Sequence, residues 1–154
     1  MIGKDQIFFE YNQLISNSYT KNKFDDVVTL SKEYLSLSRQ YKDNWNYGNA
    51  IHQAHTYLGL ASLKLDQTEI AKYHLVQANN TLGSPQLKSF GPNMLLAKEL
   101  LERGDFNTPI FYLNESKKYW KFVFRIWKLR KWIKIMEQGK IPEFGPHLKY
   151  HLLI

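Results

Sequence analysis

The chain has 154 residues, 44% hydrophobic and 23% charged, a composition that suits one folded domain or a short repeat array and excludes a disordered chain. It contains no cysteine, which excludes disulfides, thiolate metal sites and cysteine nucleophiles together. Its net charge of +7 is concentrated: between Asn114 and Lys140, nine basic residues face only Glu115 and Glu137, and the rest of the chain balances.

No uncharged apolar run approaches the roughly 18 residues of a membrane span. The first ten residues carry Asp5 and Glu10 and lack the apolar run of a leader. A soluble, cytoplasmic protein is expected. Apolar residues recur at helical steps, and no stretch alternates as a strand would, so the expected fold class is all-α.

In chain order, Tyr11, Leu14 and Ile15 and then Phe24 and Val27 mark the first helical segments. The stretch Asp43-Asn-Trp-Asn-Tyr-Gly48 separates them from a helix carrying Ala54, Leu58, Ala61 and Leu65. Asp66-Gln-Thr-Glu69 has capping-box spacing and is expected to open the helix of Ala71, Leu75 and Ala78. Gly83, Gly104 and Gly139 each follow a helical run and are expected to close it in the left-handed conformation. Gln86 to Phe90 is expected to be a connector, with Gly91-Pro92 starting the helix of Leu96 and Leu100 behind Met94. Thr108-Pro109 places a capping hydroxyl before a proline at a first helical turn. Phe144-Gly145-Pro146 repeats Phe90-Gly91-Pro92. The doublet is expected to punctuate helices, with a ligand-gripping loop as the other reading.

A shift of 38 residues lays Gly59 on Ala97, Leu58 on Leu96, Asp66 on Gly104 and Leu75 on Leu113. The pattern His55-x-x-Leu58-Gly59…Ala71-x-x-x-Leu75-x-x-Ala78 resembles the tetratricopeptide repeat, and Tyr11-x-x-Leu14-Ile15…Phe24-x-x-Val27 is a fainter copy. Ile15 replaces the family's glycine, His55 and Ser62 its aromatics, and Pro109 an alanine. The resemblance implies a right-handed superhelix of three antiparallel helix pairs, with repeats at 5–42, 46–82 and 90–118. A capping helix at 121–138 and a tail at 139–154 would follow. It further implies a concave groove lined by Phe9, Asn12, Tyr19, Gln53, Thr56, Leu60, Lys64, Met94, Lys98 and Glu102. Family members that hold a C-terminal carboxylate use Lys and Asn where this chain has Thr56 and Leu60, so that ligand is not expected.

The basic patch comprises Lys117, Lys118, Lys121, Arg125, Lys128, Arg130, Lys131 and Lys134, interleaved with Tyr119, Trp120, Phe122, Phe124, Trp127 and Trp132. As a plain cap it would bury Phe124, Trp127 and Ile135 and leave its cations in solvent. The same helix could also dock an acidic protein, grip nucleic acid through phosphates and stacked bases, or lie on an anionic membrane surface. Trp45 and Tyr47, among three asparagines, are expected to plug the gap between the first and second repeats; contact with a ligand is the alternative. His52/His55 and His147/His151 have metal-compatible spacing but no completing ligands, so no metal and no other cofactor is expected. No nucleophile elbow, Walker loop or dinucleotide fingerprint occurs, and Asp25-Asp26 and Glu99/Glu102 have the pattern of solvated charge. The resemblance implies recognition without catalysis: a protein-protein interaction module, either an adaptor or a toxin-neutralising immunity protein, with an acidic protein as partner. The alternative is a nucleic-acid binder working through residues 117–134. Nothing in the sequence sets an oligomeric state.

Overall fold

The computed structural model describes residues Gly3 to Ile154. Met1 and Ile2, the first two positions of the N-terminal stretch read above, lie outside the described residues. Among those described, regular structure is entirely helical: α1 (Lys4–Thr20), α2 (Phe24–Ser38), α3 (Tyr47–Lys64), α4 (Thr68–Gln77), α5 (Pro85–Phe90), α6 (Leu95–Glu102), α7 (Asn107–Ser116) and α8 (Val123–Glu137). Short 3-10 turns at Arg39–Tyr41 and Gly145–Leu148 complete it.

The central element is α3, which packs against α1, α2, α4, α5 and α6. Fourteen of its eighteen residues are buried, so its polar side chains need internal partners. Thr56 and Ser62 turn their hydroxyls back onto the His52 and Leu58 carbonyls, at 2.6 and 2.7 Å. Gly59 lets α6 approach: a Cβ there would collide with the Leu96 side chain. Alanines 50, 54, 61, 71, 78 and 97 are all fully buried, which keeps the neighbouring helices close.

The helix ends repeat one device. Asn22, Asp66 and Gly104 adopt φ of 57°, 58° and 87° directly after α1, α3 and α6. In each case the next amide reaches back five residues: Lys23 to Ser18, Gln67 to Ser62 and Asp105 to Leu100, at 2.9, 2.8 and 3.0 Å. A left-handed residue and a six-to-one bond thus turn the chain at once into the following helix. Asp66 therefore closes α3 and does not open α4, whose first turn has no side-chain cap. The reason is physical: aspartate tolerates the left-handed region and also caps N-termini, so one residue type serves two opposite ends.

Other helix starts also differ from expectation. Asp105, not Thr108, caps α7, its Oδ1 accepting from the Thr108 amide at 3.2 Å. Gln86 to Phe90 is not a connector: Ser84 accepts from the Leu87 amide at 3.0 Å, and Pro85 opens α5. Gly83 lies six residues beyond α4 and packs on Tyr119 instead of closing a helix. Gly91 (φ 80°) closes α5 against the Trp120 ring, and α6 begins only at Leu95, whose amide bonds Asn93 Oδ1 at 2.9 Å. The two Phe-Gly-Pro copies meet: the Met94 amide donates to the His147 carbonyl at 2.8 Å, and His147 Nδ1 donates to the Pro92 carbonyl at 3.2 Å. No helix among the described residues is long and apolar enough to cross a membrane.

Candidate functional site

Helix α8 buries Leu129, Trp132, Ile133 and Met136, a stripe at three- and four-residue steps that faces α7 and the returning tail. A second apolar stripe is left in solvent. Phe124 and Trp127 are 68% and 65% exposed and so do not face the core, contrary to expectation; Ile135 is only half-buried. Phe122 and Val123, just before and at the helix start, are also exposed. Each exposed ring has a cation near its face, and two of the rings share one. Arg125 sits 4.6 Å over Phe122 and 5.4 Å from Phe124, and Lys131 lies 5.5 Å from Trp127. Arg125 also donates to the Lys88 carbonyl. Lys117 bonds Asn114, and Lys118 pairs with Glu115 at 3.5 Å. Lys121, Lys128, Arg130, Lys131 and Lys134 are exposed and enter no ion pair among the described residues. Open clefts of about 400 and 320 Å³ flank this face, one beside Trp127, Lys131 and Phe144, the other beside Tyr119, Lys121 and Phe122.

The implied groove is mostly filled. Residues 147–154 return across α1, α3 and the segment before α6, held by side chains that read their main chain. Asn12 donates to the His151 carbonyl (3.3 Å), Ser16 to the Leu153 carbonyl (2.6 Å) and Asn93 to the Tyr150 carbonyl (2.7 Å). The Leu153 amide donates to the Tyr57 hydroxyl (3.2 Å), which donates to Asn12 Oδ1 (2.9 Å). Asn12, Gln53, Thr56, Leu60 and Met94 are all buried, so they do not form one continuous open groove. Tyr19 is half-buried against Phe24 and Tyr57, and burial together with Glu99 raises its hydroxyl to about 12. Lys64 is exposed at the end of α3, and Lys98 and Glu102 pair with each other on α6. Of the ten implied positions, Phe9, Asn12 and Gln53 share an open cleft, of about 260 Å³, with Trp45.

Trp45 is 51% exposed, so it does not plug the space between helices. The asparagines around it anchor the loop: Asn44 bonds Asp5 Oδ1 at 3.1 Å and the Asn46 amide at 2.8 Å, and Asn49 bonds Gln86 at 2.9 Å and Ser84 at 2.5 Å. Tyr47 is half-buried.

The histidines pair differently from their sequence spacing. His52 Nε2 accepts from the Asn93 amide at 3.1 Å, so its Nδ1 carries the proton donated to the Ala78 carbonyl at 2.9 Å. Burial and then His151 lower it to about 3. His55 meets His74, Nδ1 to Nδ1 at 3.0 Å, so one ring donates and the other accepts; burial above all holds both near 4. His147, lowered to about 4, and His151, also lowered, are likewise depressed chiefly by burial. No group of three or more metal-ligating side chains occurs among the described residues.

Sequence reasoning located the cations and the rings among them, Phe122 included, but missed the exposed Val123, the return of the tail across α1 and α3, and the cleft. The α8 stripe at 129, 133 and 136 was legible as a helical period; nothing marked it as the buried one. Comparison with family models, curated proteins and solved structures finds no match to the chain.

Proposed function

We propose that the protein is a non-catalytic interaction module that docks an acidic protein partner on the basic, aromatic face of α8. The observation that carries this is the outward stripe of Phe124 and Trp127 set among five cations without acidic partners among the described residues. Cations of this density speed the encounter with a negatively charged surface, and exposed aromatics anchor it once it arrives. Two features favour a protein over nucleic acid. One face of each exposed ring is already covered by Arg125 or Lys131, which reduces the platform for bases. The flanking clefts offer recesses for side chains.

The scaffold is read as tetratricopeptide-like: three antiparallel helix pairs, α1/α2, α3/α4 and α6/α7, wound as a right-handed superhelix with α8 as its cap. Support comes from the left-handed turn residues, which recur at 22, 66 and 104 in the register of the sequence repeat, and from the tight approach at Gly59. Such a binder serves equally as an adaptor or as a toxin-neutralising immunity protein, and the identity of the captured partner decides which.

The test compares an Asp/Glu-rich peptide bearing aliphatic side chains, short RNA and DNA, and anionic lipid vesicles, each across a salt series starting at about 50 mM. The peptide should bind, and Lys128, Arg130, Lys131 and Lys134 all changed to Glu should abolish binding with the helical far-UV signal intact. Tight, steeply salt-dependent binding of RNA or DNA, or binding of vesicles alone, would overturn the proposal.

A further inference from the structure

The cleft between α1 and the Trp45 loop combines a carboxylate with aromatic rings, unlike the basic face of α8. In a chain of net charge +7 its lining, among the described residues, holds no Lys, Arg or His and one carboxylate, Asp5. Four aromatic residues share that lining: Phe8, Phe9, Tyr34 and Trp45. Phe9 and Trp45 are 64% and 51% exposed, while Phe8 and Tyr34 are buried beneath them. Asp5 is held in place by Asn44, whose amide donates to Oδ1 at 3.1 Å, and it enters no ion pair among the described residues. At the floor, Tyr34 donates to Gln53 Oε1 at 3.0 Å, which fixes that side-chain amide.

An oriented carboxylate beside aromatic faces attracts a cation twice, by Coulomb attraction and through the ring quadrupoles. The cleft holds about 260 Å³, room for one long side chain and not for a folded partner. It lies on α1 beside the start of the tail's track: Asn12, which lines it, bonds the His151 carbonyl, and the tail then runs away from the cleft to Ser16 at Leu153. We propose that this cleft is a second binding site, which takes the cationic side chain of an arginine or lysine from a peptide laid across the N-terminal half of α1. Gln53 and Asn46 border the cleft as amide partners for that peptide's main chain. The site is separate from the α8 face and selects the opposite charge.

The probe is N-acetyl-arginine-N-methylamide, titrated into the full chain and followed by the NMR shift of the Trp45 indole. Its neutral isostere, the citrulline compound, is the control. The arginine probe should shift the signal saturably, with the citrulline probe about five- to thirtyfold weaker. Asp5→Asn and Phe9→Ala, both at exposed positions, should each weaken the arginine probe severalfold while the helical signal is unchanged. Equal binding of the two probes would overturn the proposal without recourse to any variant. So would arginine binding unaffected by both substitutions, or no binding at all.

Discussion

Replacing Gly59 with alanine sets two effects of known size against each other. Gly59 lies in the interior of α3, where helix propensity alone favours alanine by about 1 kcal/mol. The added methyl would collide with one Leu96 methyl and stand 3.2 Å from the other and from Cγ. Leu96 is 1% exposed and belongs to the core, so the overpacking costs roughly 1–3 kcal/mol. Packing wins, with a net loss of about 1 kcal/mol expected. Leu96→Ala alone should cost roughly 2–5 kcal/mol. In the double variant the new methyl occupies part of the space the leucine vacates. Its loss should therefore fall short of the sum of the single losses, with a coupling on the order of 1–2 kcal/mol. Urea denaturation followed by far-UV circular dichroism measures all four corners of this cycle. A Gly59→Ala protein more stable than the parent, with additive behaviour beside Leu96→Ala, would refute the close approach of α3 and α6.

The exposed and buried stripes of α8 predict opposite outcomes. Trp127→Ala should change stability by no more than about 0.5 kcal/mol, whereas Leu129→Ala should cost about 2–5 kcal/mol; equal effects in urea denaturation would contradict the face assignment. All five histidines have lowered pKa values, so the unfolded chain takes up protons that the fold resists. This contribution is complete above the unfolded histidine pKa of about 6.5 and is lost as pH falls through 4 towards 3. The urea midpoint should drop between pH 7.5 and pH 5, and a flat profile would contradict the neutral pairs. Ser16→Ala leaves the Leu153 carbonyl without its donor and should cost roughly 1–3 kcal/mol, with faster hydrogen exchange at Leu153 as the local readout.

The helices were legible because a 3.6-residue period survives in each of the longer ones, and Gly104 and Gly139 were legible because glycine at a helix end has one common use. Asn22 and Asp66 were not, since their side chains suit a left-handed turn as readily as an N-cap. Six-residue α5 is too short to show a period, and Ser84-Pro85 looks the same whether it ends one helix or begins another. In α8 the period reveals two apolar stripes, but the choice between them depends on α7 and Phe144, distant in sequence. The tail was the least legible part. Against α1 and α3 it is held through its own carbonyls and one amide, which every residue possesses. Its side-chain bonds, from His147 and His151, go to the main chain of Pro92 and Gly91, which no spacing in the sequence marks. For the same reason the implied groove residues could be placed on α1 and α3 while the segment covering them went unseen.

Zero-length carbodiimide cross-linking of the chain to a partner captured from native extract tests the central claim most directly. It joins partner carboxylates to lysines in contact, and mass spectrometry locates each joint. Cross-links should concentrate at Lys121, Lys128, Lys131 and Lys134 and disappear when Phe124 and Trp127 are changed to serine. Cross-links confined to Lys21, Lys23, Lys32 and Lys72, with none on α8, would contradict docking on the basic helix.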